Sequence, residues 1–160
     1  MKPIVEVVPF ADLSVGQLYS ALQLRGAVFV VEQDCVYQDL DGLDHLAEHV
    51  FVWCGGDLAA YTRLLPPAVV HAEGCAIGRV VAAAEYRGRG LGRLAFGESV
   101  GECRRRWPGS DVLLHAQTYL LAFYEDFGFE VEGEPFLEDG IPHRLMRLPR
   151  GRGDENAAGA

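Results

Sequence analysis

No run of eighteen or more apolar residues occurs in this chain of 160, which leaves it without a helical membrane span. Met1 to Phe10 alternates and carries charge, so the basic start and unbroken apolar stretch of a secretory leader are missing too. A cytoplasmic protein is the expectation. Cysteine is sparse: Cys35, Cys54, Cys75 and Cys103 stand alone, no two of them two residues apart. That excludes a metal knuckle and a disulfide framework and leaves free thiols. Positive charge is scarce overall, with a net charge of −9 at pH 7, so general nucleic-acid binding is excluded. It is absent altogether between Arg25 and Arg63, where Glu32, Asp34, Asp39, Asp41, Asp44, Glu48 and Asp57 fall.

What is present fits one domain. Nearly half of the residues are apolar, enough for a core in a chain of this length. Ile4 to Val8 predicts a first strand. Leu13, Leu18, Leu22 and Phe29 space as one face of a helix with Ser14 at its cap. Val36 to Leu46 is a loop with short turns. His49–Cys54 and Leu58–Leu65 flank Gly55-Gly56-Asp57 as an antiparallel hairpin. Cys75–Ala82 is a fourth strand, followed by a Gly-rich loop and a helix from Leu91 to Trp107 that Pro108-Gly109 stops. Val112–Ala116 is a nearly continuous apolar strand, as in a sheet covered on both faces. A short helix over Leu120–Phe127 and a hairpin of Phe129–Leu137 with Pro142–Leu148 complete the domain, 1–149. The segment 150–160 is Gly, Ala and charge with no apolar anchor, and is expected to be a disordered tail. The order predicts an α/β (α+β) fold: a mixed, mostly antiparallel sheet of about six to seven strands with helices on both faces.

The strand ending at Val80-Val81-Ala82 runs into Arg87-Gly88-Arg89-Gly90-Leu91-Gly92, and then a helix starts. Glycines let the backbone approach a ligand closely. The first amides of a helix lack partners and carry partial positive charge, which together make a pyrophosphate site. Arg87, Arg89 and Arg93 add counter-charge. No Gly-Lys-Ser/Thr follows, so this is not a P-loop. The glycines at 88, 90 and 92 do not have the dinucleotide Gly-x-Gly-x-x-Gly spacing, and Asp111 precedes its strand instead of ending it. A plain Gly/Arg turn is the remaining alternative.

Arg87, Gly90 and Gly92 stand at the fixed positions of Arg/Gln-x-x-Gly-x-Gly/Ala, and the segment resembles the acyl-CoA signature of GNAT acetyltransferases. That resemblance implies a GNAT fold and acetyl-CoA as co-substrate. Backbone pairing of the pantetheine arm would then fall to Val80, Val81 and Ala82, and pyrophosphate binding to the amides from Gly88 to Arg93, Leu91 and Gly92 included. Gln117, Phe123, Tyr124, Gly128 and Phe129 are similar to the second family signature, Asn-x(6)-Tyr-x(3)-Gly-Phe, with Gln117 where Asn is commoner. It implies that Gln117 bonds the pantetheine arm and that Tyr124 protonates the departing thiolate. A phenol with a pKa of about 10 keeps its proton at neutral pH and can donate it. Packing of Tyr124 against Phe127 is the alternative. Arg25–Gln33, Tyr37 with Asp39–Asp44, and Glu138–His143 are similar to the ElaA-like branch of GNAT proteins, so the resemblance runs almost from end to end. A dimer is common in the family.

An amine must lose a proton before it attacks, so a base is expected near the acyl carbon. Glu32 and His143 are the candidates. Glu32 could instead form an ion pair, with Arg25 a candidate partner, and His143 could simply bond the final hairpin. His115, in an apolar strand, reads as a satisfied core histidine. Asp39, Asp41 and Asp44 miss the calcium-loop pattern, which needs Gly and Glu where Asp44 and Val50 stand. His45 and His49 lack the zinc motif's Glu, and no metal is expected. Cys35 and Cys75 could carry an acetyl group, but nothing in the sequence lowers their pKa, so direct transfer is the default. The leading reading is an N-acetyltransferase acting on a primary amine, which the acidic run suggests is cationic. The alternative is a non-catalytic module that binds acyl-CoA.

Overall fold

A computed structural model describes residues 2–151. The disorder expected for 150–160 falls outside them except at its start, where the Arg150 amide donates to Asp111 Oδ1 at 2.8 Å. Seven strands form one sheet: β1 Ile4–Pro9, β2 Glu48–Cys54, β3 Asp57–Leu65, β4 Gly74–Ala82, β5 Asp111–Gln117, β6 Glu130–Glu138 and β7 Ile141–Leu148. Their order is β1-β2-β3-β4-β5-β7-β6. Only β4 and β5 run parallel; the other neighbours are antiparallel. The expected mixed sheet and strand count are met.

Among the described residues three α-helices, α1 Val15–Arg25, α2 Leu91–Arg106 and α3 Leu121–Glu125, cover the sheet. Ser14 caps α1 as expected. Its Oγ accepts from the Gln17 amide at 3.0 Å, and Gln17 Oε1 accepts from the Ser14 amide at 2.9 Å, so two otherwise orphaned donors are satisfied reciprocally. The helix does not end at Arg25. It widens into a seven-residue π-helical stretch, Gly26–Glu32, in which the Gln33 amide reaches back to the Val28 carbonyl at 3.0 Å. The sequence did not reveal this widening, since a π turn and an α turn place their apolar residues almost alike over so few positions.

The two sheet faces carry separate cores. Ala21, Leu24 and Val28 pack on Phe51, Tyr61, Val81 and Ala83. On the opposite face α2 and α3 cover Val50, Leu64, Cys75, Ile77, Val112 and Leu114, with Phe96 at the centre. Burial on both faces is why β2 and β3 read as nearly continuous apolar runs. Phe96 meets Phe127 edge-on at 4.8 Å and Tyr124 at 5.1 Å between ring centroids, an arrangement that aromatic quadrupoles favour. No helix among the described residues is long and apolar enough to cross a membrane.

Candidate active site

The parallel strands β4 and β5 pair only at Gly74–Asp111, Cys75–Val112 and Ala76–Leu113. Beyond Ala76 they separate, and the β4 edge from Ile77 to Ala82 has no β5 partner. Two features produce this. Gly74 lies so close to β5 that a Cβ there would fall onto the Asp111 carbonyl and stand 2.5 Å from Leu113 Cδ1, so the strands are zipped tightly at one end. Further along, β4 bulges. Tyr61 faces Val81 while Arg63 faces Gly78, which leaves one extra residue on β4 and bends it away. Arg79 in the bulge is left-handed at φ 49°, an uncommon state for a residue with a Cβ.

The acidic loop holds that bulge. Arg79 Nε lies 2.8 Å from Asp39 Oδ1, and Nη2 donates to the Asp39 carbonyl at 2.8 Å. Arg25, 1 % exposed, pairs with Asp39 and Asp44, both at 2.8 Å. Arg63 pairs with Asp41 at 2.8 Å and Asp44 at 3.0 Å. Burial raises the Asp41 carboxyl pKa, but Arg63 outweighs it and brings it down to about 2. The acids on which the expectation of a cationic acceptor rested are therefore largely matched by arginines inside the fold. Arg25 is the partner of Asp39 and Asp44, and Glu32 has another partner.

The gap between β4 and β5 opens into a cavity of about 1110 Å³. Of the residues expected at the site, Glu32, Val80, Val81, Ala82, Arg87, Gln117, Tyr124 and His143 line it. The loop from Gly88 to Arg93 adjoins it at the N-terminus of α2. Gly88 and Gly90 have φ of 81° and 75°, conformations that glycine adopts at least cost, and Gly90 directly precedes the first turn of α2. Leu91 is buried beneath this turn among Val52, Ala59 and Ala95. Gly92 lies against Ala82, where an added Cβ would make ordinary contact at 3.7 Å. The Arg89 guanidinium stacks over Tyr86 at 5.3 Å, and Arg93 over Phe127 at 5.0 Å, 3.2 Å from Asp126.

Phe123, like the residues from Gly88 to Arg93, does not line the cavity. It packs behind the site, 5.7 Å from Phe96 and 5.1 Å from Tyr124 between centroids. In a helix as short as α3 only one of two adjacent aromatics faces the gap. Tyr124 does so, 5 % exposed, and burial, with Tyr119 nearby, pushes its phenol pKa up. Gln117 Nε2 donates to Gln33 Oε1 at 3.3 Å, joining β5 to the end of the π stretch.

Glu32 meets Arg87, whose two Nη atoms donate to its carboxylate at 2.5 and 2.6 Å. That pairing holds the Glu32 carboxyl below the usual range. Its carboxylate is a counter-ion to Arg87, which also donates to the Ala82 carbonyl at 3.2 Å, and this bidentate engagement suits a base poorly.

His143, 7 % exposed, has Nδ1 2.7 Å from the Ile141 carbonyl. A carbonyl only accepts, so Nδ1–H donates to it, and in the neutral ring the lone pair is on Nε2. Nε2 lies 3.5 Å from Glu138 Oε2. His115 departs from expectation: it is exposed, not a core residue. Val112, Leu114 and Ala116 face α2, so strand alternation turns His115 to the other face, beyond the cover of α1. There its Nδ1 lies 2.9 Å from Glu138 Oε1. Tyr119, Arg79, Gln33 and Glu138 also line the cavity and were not singled out from the sequence. For Glu138 a signal existed: Asp139-Gly140 is a two-residue turn, so pairing brings the end of β6 beside His143.

Residues 18–149 match the sequence profile of the acetyltransferase (GNAT) domain family. Protein ElaA of Escherichia coli K12 is 44% identical over 135 residues, 83% of this chain and 88% of that protein. In solved structures, an acyl-CoA N-acyltransferase from Pseudomonas aeruginosa superposes with a TM-score of 0.86 at 43% identity, covering 91% of this chain and 99% of the other. The crystal structure of E. coli ElaA superposes with a TM-score of 0.85, covering 92% of this chain and all of its own.

Proposed function

The chain belongs to the GNAT acetyltransferase family, and on that premise we propose that it moves the acetyl group of acetyl-CoA directly onto a primary amine of a small molecule or peptide. One observation carries the reading: the unpaired β4 edge from Ile77 to Ala82 leads into a left-handed glycine loop at the N-terminus of a sixteen-residue helix. An open strand edge suits the amides of a pantetheine arm, and an unpartnered helix start suits a pyrophosphate. The residues present fit acyl-CoA, which supplies an activated acetyl thioester when bound.

The chain's own groups then have assignable tasks. The backbone of Val80, Val81 and Ala82 aligns the thioester as an added strand would, with Gln117 bonding the arm from the β5 side. The amides from Gly88 to Arg93 hold the pyrophosphate. His143 Nε2 takes the proton from the acceptor nitrogen, and that nitrogen forms the new bond to carbon as the carbon–sulfur bond breaks. Tyr124, kept protonated by burial, gives its proton to the sulfur. Positioning and proton transfer together account for the rate.

The test is thiol release from acetyl-CoA with a pool of primary amines, repeated with Tyr124→Phe under single-turnover conditions. The wild type should release thiol only with amine present. The Phe variant keeps the ring and should bind CoA normally but transfer acetyl about 10²-fold more slowly. Tight CoA binding without thiol release for any amine would mean a binding module. Wild-type transfer by the variant would make Tyr124 a packing residue.

A further inference from the structure

The acceptor end of the cavity carries a cluster of which the acyl-CoA chemistry above uses only Gln117 and His143. The register pairs Gln117 with His143 and His143 with Phe136, so these side chains share the face opposite α2. Alternation adds His115 and Glu138 to it. Glu138 lies between two imidazoles, with Oε1 2.9 Å from His115 Nδ1 and Oε2 3.5 Å from His143 Nε2. The Phe136 ring closes the group at its edge, 5.1 Å from His115 and 6.0 Å from His143 between centroids.

Charge separates Glu138 from Glu32 and Asp41 on this wall. Glu32 is saturated by Arg87, and Asp41 by Arg63 with Arg79. The close partners of Glu138 are the imidazoles of His115 and His143. Arg79 on β4 acts on it from farther away, and Asp139 follows it in the turn and also lines the cavity. His71, whose ring stands edge-on to His115 at 5.3 Å, is held towards its neutral form by burial and by His115. The Glu138 carboxylate, with imidazoles and no arginine at ion-pair distance among the described residues, faces the space beside His143 Nε2.

We propose that Glu138 is the anchor for the acceptor's ammonium group, so that the acceptor is a cationic amine read here and not by the acidic run at 39–44. The inference rests on the acetyltransferase reading and concerns only its acceptor end. The ammonium docks against the Glu138 carboxylate, and His115 holds that carboxylate from the far side through Nδ1–H. One proton passes from the ammonium to His143 Nε2. The freed amine lone pair forms the carbon–nitrogen bond, the carbon–sulfur bond breaks, and the sulfur takes the proton of Tyr124. His143 returns its proton to solvent and Tyr124 regains one from the acylated nitrogen through water. The balance is ammonium plus acetyl-CoA giving acetamide, CoA thiol and one released proton.

The experiment uses the full chain loaded with CoA and three four-carbon probes: n-butylamine, 1,4-diaminobutane and butanoate. Binding is followed by calorimetry and by the ring-proton NMR signals of His115 and His143. The two amines should bind and move both histidine signals, the diamine at least as strongly, whereas butanoate should do neither. Glu138→Gln should weaken amine binding roughly tenfold or more and abolish the shifts while leaving CoA affinity and melting temperature as they were. Glu138→Asp, which keeps the charge on a shorter arm, should retain part of the binding. Amine affinity within twofold of wild type in Glu138→Gln, or wild-type histidine signals that ignore both amines, would overturn the proposal. Failure of the acetyltransferase reading would look different: amines would bind through Glu138 and no thiol would be released.

Discussion

The two halves of β4 are made to opposite specifications. From Gly74 to Ala76 the strand is zipped to β5 with no room for a side chain at Gly74. From Ile77 to Ala82 it bulges, turns its free edge to the cavity, and holds Arg79 at φ 49°. A strand released from its neighbour loses the hydrogen bonds that would have fixed its shape. This one is braced instead from outside the sheet, by Asp39 and Asp41 acting through Arg79. A left-handed residue with a Cβ costs about 1 kcal/mol or more, and it persists because ion pairs to the buried Asp39 and to Asp41 over-determine it. The closed half sets the angle of the gap; the open half supplies what a ligand can use.

Breaking the closed half should have the largest effect. Gly74→Ala puts a Cβ onto the Asp111 carbonyl and against Leu113. Backbone cannot move aside as the end of a flexible side chain can, so β4 and β5 must separate where they should be zipped. Overpacking of this kind costs about 3 kcal/mol, and denaturant unfolding should show that loss. If the variant is as stable as wild type, the closed half is not the rigid hinge described here.

Much of this was open to sequence reasoning, and the failures are specific. Strand periodicity, the Ser14 cap and the Gly-rich loop are local signals, and each element follows from a few neighbouring residues. The bulge is not local. Its support joins Arg79 to Asp39, forty positions earlier, and no periodicity links them. His115 misled because its neighbours Leu114 and Ala116 are apolar, yet those two face the other side of the sheet. Whether a strand's second face is covered depends on where α1 ends, which its pattern does not disclose. The acid-rich run was visible, but its arginines lie on α1, β3 and β4, so its neutralisation emerges only from the fold.

The brace of the open half offers an intermediate effect with a definite pH dependence. Asp41 in the folded chain titrates at about 2, below its ordinary 3.8. A depressed carboxyl contributes stability that is fully present above the unfolded value and is lost as pH falls through the folded one. Asp41 is partly exposed, so solvent screening reduces what this shift contributes to about 1.5 kcal/mol at neutral pH. Asp41→Asn should therefore lower stability by about that amount at pH 7 and by much less at pH 2, flattening the acid limb of the stability curve between pH 4 and 2. Parallel acid limbs for the two proteins would mean that Asp41 does not brace the bulge through its charge.

The smallest effect on stability, and the cleanest separation of the two halves, should come from the glycine at the open end. An added Cβ at Gly90 meets nothing within 4 Å, so Gly90→Ala creates no clash in the free protein. Its cost comes from φ alone, 75°, and should be about 1 kcal/mol. In the complex the same methyl would stand where the backbone must approach a pyrophosphate, so CoA affinity should fall roughly tenfold, about 1.4 kcal/mol. Gly74→Ala should do the reverse: a larger loss of stability, but CoA binding close to wild type in the fraction that remains folded. Calorimetric titration of both variants with CoA, well below their melting temperatures, would read this crossing directly. If Gly90→Ala binds CoA like wild type, the pyrophosphate does not lie on the Gly88–Arg93 loop, and the open edge of β4 must serve some other ligand.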